Sequence, residues 1–523
     1  MPTTERNYNE NLVTSPDGSR EVVVRCSHRE NGVAESVHCQ IDYFFRLLRR
    51  RGASMLFALV VVISIFGVSA GNVFHLHRAF PMNHHVELEQ LQAQDTVRHH
   101  QFLGGVVNVS VALPKHIHYP MGIYLTKVKI GSPPREFYVL IDTGSEVFWV
   151  SCSSCNVCPR FTGLGTPISL YDYDNSSTAG LLPCSDQRCK HCSDESNQCE
   201  YSIPYMGGAE TTGYFVSDEF SLDMIPVHYQ VAHGSSTPII FGCSTTVSGN
   251  LAQTELSLNG ILGLSQGALS VVSQLSSRGI TPNVFSHCLK GDGVGGGTLV
   301  LGEILEPSIV YTPLVPKKSY YAINLESIAV NGQILPIDPA AFRTSDDRVT
   351  IVDTGTTLAY FVEEAYEPLV RAITSASNFV SPIISGKSQC YLIYTSFGKS
   401  FPSVTLNFAA AASMTLTPQD YLLYSGSHVG AAMWCLGFKK TREASRGFTV
   451  LGDLVLRDKI VVYDLARQQL GWVNYNCSSQ VNFSTAFHPT HRSGSSGSSG
   501  DTLIKLLKTV TVLLLMHLFN LYI

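Results

Sequence analysis

The sequence predicts an all-β protein with few short helices, built as two lobes related by a pseudo-twofold axis with a cleft between them. Three observations carry that expectation. Strands bounded by turn residues dominate, helical periodicity is scarce, and one strand-and-turn pattern occurs twice. Tyr124-Leu-Thr-Lys-Val-Lys-Ile alternates apolar and polar residues, Gly131-Ser-Pro-Pro breaks it as a turn, and Phe137-Tyr-Val-Leu-Ile resumes as a second strand. The glycine-rich run 291–297 lacks the Lys-Ser/Thr of a phosphate loop and reads as a hairpin. The best helical pattern covers residues 363–373.

The repeated pattern is specific. In the first half an apolar strand runs into Ile141-Asp142-Thr143-Gly144-Ser145, followed later by Ile261-Leu262-Gly263. In the second half Ile351-Val352 runs into Asp353-Thr354-Gly355-Thr356, followed later by Val450-Leu451-Gly452. The Asp-to-Gly intervals are 121 and 99 residues, so the halves share a plan and differ in loop length. One Asp-Thr-Gly is an ordinary turn. Two copies, each after a buried strand and each followed by an apolar pair and a glycine, are not accidental.

Such a pair suits one chemistry. Hydrolysing a peptide without a metal or covalent nucleophile needs one group to take a proton from water and another to protonate the carbonyl oxygen. Two carboxyl groups held together do both, because like charges at short range cannot both ionise and one proton is shared. Asp142 and Asp353 are the candidate pair. Thr143, Gly144, Ser145, Thr354, Gly355 and Thr356 are their expected support. Ser145 and Thr356, three residues beyond each Asp, are placed to hydrogen-bond the carboxylates, and the glycines admit a close backbone approach. No cofactor and no metal is expected.

These residues resemble the pepsin-like family of aspartic endopeptidases, and more closely its atypical plant branch with a cysteine-rich insert and a GPI signal. The resemblance covers about residues 122–477 and includes Lys127-Val-Lys-Ile-Gly-Ser-Pro-Pro-Arg-Glu-Phe, both Asp-Thr-Gly motifs, Phe241-Gly-Cys, Phe285-Ser-His-Cys-Leu, and Leu451-Gly-Asp-Leu-Val-Leu through Gly471-Trp472. It implies endopeptidase activity at acid pH on polypeptide substrates, and a β-hairpin flap over the cleft. Tyr205 stands at the flap position, with Trp149 as its hydrogen-bonding partner. Two departures stand out: Glu146 follows the first motif where the family has Asp or Ser, and Met206-Gly207-Gly208-Ala209 follows Tyr205 where it often has Gly-Asp-Gly-Ser.

Composition sets the surroundings. The chain has 523 residues, 44% hydrophobic, enough for a large packed core. Residues 120–480 carry 22 Lys and Arg against 30 Asp and Glu, a net of −8 that excludes a nucleic-acid partner. Twelve of the 14 cysteines follow the apolar run 56–68, an even number that permits six disulfides. Cys152-x-x-Cys155-x-x-Cys158 has a metal or iron–sulfur alternative, but export favours disulfides.

Export itself is read from Arg49-Arg-Arg, the 13-residue apolar run and Val68-Ser-Ala-Gly, the order of a signal peptide. The long leader leaves an uncleaved signal anchor as the alternative. Ser493–Gly500, a polar spacer and the apolar stretch 509–523 have the order of a GPI-attachment signal, with Ser496 as the acceptor. Sequons lie at Asn108, Asn175, Asn476 and Asn482. The expected organisation is a leader (1–54), signal core (55–70), pro-segment (71–119), N-terminal lobe (120–310, with the Cys-rich insert 152–199), C-terminal lobe (311–480), Ser/Gly linker (481–500) and GPI signal (501–523). Eight of 18 histidines fall in the pro-segment, among them His75 and His77. They could act as an acid sensor or form a plain solvent-exposed leader. The expected protein is a monomer in the secretory pathway, at the plasma membrane through its lipid anchor or extracellular. The competing readings are a binding or inhibitor protein on the same fold and a structural cell-surface glycoprotein.

Overall fold

A computed structural model of the chain describes residues 9–14, 20–25, 73–78 and 124–484, the last with short breaks at 162–166, 194–196, 206–208, 223–235, 253–257, 292–295, 378–381, 386–387, 395–399, 429 and 442–446. The chain divides into two compact units, Met1–Ser69 and Ala70–Ile523. In the first unit, Asn9–Thr14 and Arg20–Arg25 form an antiparallel pair. The second unit holds everything that follows.

In the first half of that unit, strand β1 (Val73–Arg78) precedes β2 (Tyr124–Ile130) and β3 (Arg135–Asp142). Residues 124, 126, 128 and 130 are buried in strict alternation, as expected for a strand with one face on the core. β3 begins alternating and ends with four consecutive buried residues, because it passes from the sheet margin into the interior. β4 (Trp149–Ser151) follows, then the long hairpin β5 (Gln198–Tyr205) and β6 (Ala209–Leu222), then β7 (Thr237–Ser248) and β8 (Gly260–Gly263). β8 inserts between neighbours, parallel to β3 and antiparallel to β4, while β7 runs parallel to β4. A short helix, α1 (Val271–Ser277), is capped by the Ser270 hydroxyl, which accepts from the Ser273 amide.

The chain then forms β9 (Val284–Leu289) and β10 (Gly297–Val300), the expected glycine-rich hairpin, and β11 (Val310–Pro313). The second half repeats the first half's plan with β12 (Val349–Val352), β13 (Ala359–Phe361), α2 (Glu363–Ala376), β14 (Phe438–Lys440) and β15 (Phe448–Leu451). β15 lies parallel to β12 and antiparallel to β13, and β14 lies parallel to β13. Helix α2 starts where expected and runs three residues further. Ala365, Leu369, Val370 and Ile373 share its buried face, and Glu363 and Glu364 sit in the first turn, where the helix dipole favours acids.

Finally β16 (Lys459–Asp464) and β17 (Gln469–Asn474) return toward the first half. The order β11-β17-β16-β9-β10-β1-β2-β3-β8-β4-β7-β6-β5 makes one extended sheet, in which β17 and β16 of the second half lie near one end, between β11 and β9. β9 and β16 pair directly and are buried along their whole length, which is why VFSHCL and KIVVYD read as near-continuous apolar runs. One core cluster runs from Tyr124 and Phe137 through Phe285 to Val461 and Trp472, so the two halves share an interior. The fold is the bilobal β architecture that the duplicated pattern predicts.

The twelve cysteines of this unit form six disulfides: Cys152–Cys243, Cys155–Cys158, Cys184–Cys192, Cys189–Cys199, Cys288–Cys477 and Cys390–Cys435. The crowded run at 152–199 is therefore a disulfide cluster. Cys288–Cys477 closes 189 residues and ties β9 to the segment after β17. Replacing both with Ala should destabilise the protein by about 2–5 kcal/mol, since a long closed loop restricts the unfolded chain most. A drop in the thermal midpoint with unchanged secondary structure is the expected reading.

Candidate active site

The two Asp-Thr-Gly turns meet at the junction of the lobes. Asp142 is the last residue of β3, where β8 pairs with it at Gly263, and Asp353 follows β12, its amide donating to Leu451 of β15 at 3.0 Å. Each carboxylate stands at the end of a strand that has a parallel neighbour, and both are almost wholly buried. Their hydrogen bonds are matched. Asp142 accepts from the Gly144 amide (2.9 Å) and the Ser145 hydroxyl (2.5 Å). Asp353 accepts from the Gly355 amide (2.7 Å) and the Thr356 hydroxyl (2.5 Å). Ser145 and Thr356 thus bond the carboxylates as the sequence predicts.

The glycines act crosswise, which the sequence did not reveal. A Cβ on Gly144 would lie 2.6 Å from Oδ1 of Asp353, and one on Gly355 would collide with Oδ1 of Asp142. Each turn therefore leaves room for the other lobe's carboxylate, and any side chain at either glycine would separate the pair.

Below them the threonines lock the turns together. The Thr143 amide donates to Thr354 Oγ1 (3.1 Å) and the Thr354 amide to Thr143 Oγ1 (3.0 Å). Their hydroxyls donate onward to the backbone carbonyls of Val352 (3.2 Å) and Ile141 (3.1 Å), again each in the opposite lobe. Four buried hydrogen bonds so cross the junction within two residues of each Asp.

The flap pair is also together. Tyr205 ends β5 opposite Ala209 of β6, and its hydroxyl accepts from Trp149 Nε1 at 2.8 Å. Residues 206–208, which carry the departures at Met206, Gly207 and Gly208, lie outside the described residues. The other departure has a local role: Glu146 Oε1 accepts from the Leu269 amide at 3.0 Å, tying the first turn to the loop before α1.

Asn175, Asn476 and Asn482 are exposed, while Asn108 and Ser496 fall outside the described residues. Of the pro-segment histidines, His75 and His77 lie in β1, in register with Thr298 and Leu125, and the other six lie outside the described residues. No group of His, Cys, Asp or Glu suited to a metal occurs among the described residues.

Two residues near the turns carried no assigned role in the sequence, although both lie in motifs that mark the resemblance. Tyr463 of β16 stacks its ring on Phe285 of β9, with centroids 4.4 Å apart. His287 of β9 is wholly buried, with Nε2 3.1 Å from the Tyr463 hydroxyl. The only hint was polarity inside apolar runs.

Fold and site define a two-lobed protein that presents one carboxylate from each lobe at a shared junction. Comparison with known proteins agrees. Residues 124–303 match the family model described as "Xylanase inhibitor N-terminal" and residues 320–474 the model described as "Xylanase inhibitor C-terminal". Aspartic proteinase 36 of Arabidopsis thaliana is 33% identical over 451 residues, covering 84% of this chain and 92% of that protein. Aspartic proteinase 39 of the same plant is 33% identical over 440 residues, covering 83% and 90%. Aspartic proteinase nepenthesin-2 of Nepenthes gracilis is 29% identical over 377 residues, covering 68% and 78%. The chain belongs to the pepsin-like aspartic proteinase family.

Burial of His287 has a consequence for acid stability. In an unfolded chain its imidazole takes up a proton near pH 6.5. In the fold, desolvation drives its pKa down to about 3. Between these values the unfolded state binds the extra proton, so this residue's contribution falls as pH falls from 6.5 toward 3. His287→Gln should flatten the stability profile across that window by up to about 1.4 kcal/mol per pH unit. Denaturant midpoints at pH 4 and pH 7 for both proteins check it.

Proposed function

We propose that the protein is an aspartic endopeptidase that hydrolyses peptide bonds at acid pH with a water activated between Asp142 and Asp353. The observation that carries this reading is the crosswise packing, which closes both carboxylates on the same two glycines with no side chain between them. Aspartic proteases are the standing illustration of a carboxylate pair that shares one proton. The ionised member takes a proton from water as the oxygen attacks the peptide carbon, and the protonated member gives its proton to the carbonyl oxygen. Collapse of the tetrahedral diol, with a proton passed to the departing nitrogen, releases an amine and an acid. The matched bonds to Asp142 and Asp353 hold both groups without reorganisation. The Tyr205–Trp149 pair supports a flap that closes over bound polypeptide.

The remaining organisation fits this reading. Strand β1 lies within residues 71–119 and fills the place between β10 and β2, which supports a pro-segment that is built into the sheet until it is cut away. The six disulfides and three exposed sequons support passage through the secretory route. We assign residues 55–70 as signal core and cleavage region and Ser496 as the lipid attachment site, giving a monomer at the cell surface.

A second reading, an inhibitor or other binding protein on this fold, is favoured by the description of the two matched family models. Both Asp-Thr-Gly turns being complete speaks for the enzyme.

Digestion of a diverse peptide mixture across pH 3–7, read by mass spectrometry, separates the two. The activated protein should cleave best in acid, and Asp142→Asn or Asp353→Asn should each remove cleavage while the thermal midpoint stays near that of wild type. A wild type that leaves peptides intact but blocks a xylanase would establish the second reading.

A further inference from the structure

A second crossing of the junction runs through Tyr321. Leu264, the residue after β8, donates its amide to the backbone carbonyl of Asp142 at 2.8 Å. Its own carbonyl accepts from the Tyr321 hydroxyl at 2.7 Å, 57 residues on and in the other lobe. Tyr321 stands directly before the short strand Ala322–Ile323, which pairs with β12 at Ile351 and Thr350. Its carbonyl carries that pairing one step further and accepts from the Val352 amide at 3.0 Å. Val352 is the residue before Asp353, and its carbonyl in turn accepts from the Thr143 hydroxyl at 3.2 Å. These bonds close a ring that runs from Asp142 through Leu264, Tyr321 and Val352 to Thr143, the neighbour of Asp142.

Packing explains the ring of Tyr321 but not its hydroxyl. The side chain is wholly buried and meets Phe285 of β9 edge-on at 5.9 Å and Tyr463 of β16 edge-on at 4.6 Å. A phenylalanine would fill the same space without the cost of taking a hydroxyl out of water. The hydroxyl is accounted for by the bond it makes to Leu264. Burial holds the phenol pKa well above its ordinary value, so the proton stays in place to donate throughout the acid and neutral range. Two residues beyond Leu264, Gln266 bonds the same stretch of the second lobe. Its amide donates to the Ser319 carbonyl and its Nε2 to the Tyr320 carbonyl, both at 2.9 Å. Those two bonds join the segments without entering the ring.

We propose that Tyr321 is a positioning residue for the carboxylate pair. Its hydroxyl and its carbonyl set the strand end at Asp142 against the strand end at Asp353, at the separation that hydrolysis needs. The threonine exchange fixes the two turns to each other, and Tyr321 fixes the strand ends from which the turns leave. The inference rests on the peptidase reading and adds to it a side chain outside both Asp-Thr-Gly motifs. Being wholly buried, Tyr321 acts through these bonds and not on substrate.

The test compares wild type with Tyr321→Phe and Gln266→Leu, all activated in the same way, with Asp142→Asn as the inactive reference. Tyr321→Phe keeps the ring and its packing and removes only the bond to Leu264. It should lower kcat about tenfold with KM changed less than about twofold, because the support acts on the reacting groups and not on substrate binding. Gln266→Leu also removes a bond between the two segments but leaves the ring of bonds closed, so kcat should stay within about twofold of wild type. A second readout does not need activity: hydrogen exchange at the Leu264 amide, relative to Ile261 of β8, should quicken about tenfold in Tyr321→Phe. Either wild-type kcat or unchanged Leu264 exchange in folded Tyr321→Phe would overturn the proposal. So would Gln266→Leu lowering kcat as far as Tyr321→Phe does, since general loosening of the segments would then suffice. If wild type itself cleaves nothing, the peptidase reading fails, and Tyr321 is judged by exchange alone: quickened at Leu264, its tie between the strand ends stands, and unchanged, it falls.

Discussion

The mutual exchange between Thr143 and Thr354 is the constraint on which the rest of the site depends. Two lobes that each carry one carboxylate gain chemistry only when the carboxylates stand at one short separation. Apolar packing alone does not set such a distance to a few tenths of an ångström. Four directional hydrogen bonds, buried and made within two residues of each Asp, do. Leaving any of these amides or hydroxyls unpaired in the interior would carry a desolvation penalty, so the exchange is made as a set. The dependence on glycine follows. With the turns drawn this close, only a residue without a Cβ fits opposite the other lobe's carboxylate.

The symmetry of the exchange comes from the repeated strand plan. β8 sits against β3 and β4 as β15 sits against β12 and β13, so each turn leaves its strand in the same direction and at the same depth. The joint sheet then fixes one copy against the other, with β9 of the first half paired to β16 of the second. That sheet is also where the structure works against itself. A histidine at its centre resists protonation, so acid takes stability away from the fold there. The Cys288–Cys477 disulfide ties β9, the strand that carries this histidine, to the segment after β17.

Much of this was legible in the chain. The alternation at 124–130, the apolar runs into Asp142 and Asp353, and the helix at 363 followed from local periodicity and turn chemistry, which short windows carry. Ser145 and Thr356 followed from their spacing to each Asp. The crosswise role of the glycines did not, because it concerns residues 209 and 213 apart whose contact exists only after the lobes close. The same holds for Thr143 and Thr354, which read as part of a turn motif and prove to be the tie between turns. The cysteines announced disulfides by number and compartment, but their pairing is a property of the folded chain. His287 and Tyr463 were visible only as polar residues within apolar strands, a signal that ordinary packing also produces.

The central claim is that the two lobes present their carboxylates as one unit. Calorimetric binding of a statine-containing peptide, which mimics the tetrahedral diol, addresses that unit without relying on turnover. The activated wild type should bind it tightly at acid pH, and Asp142→Asn and Asp353→Asn should each weaken binding at least about a hundredfold, to similar extents. Binding that survives either substitution unchanged, or depends on one aspartate alone, would contradict the account.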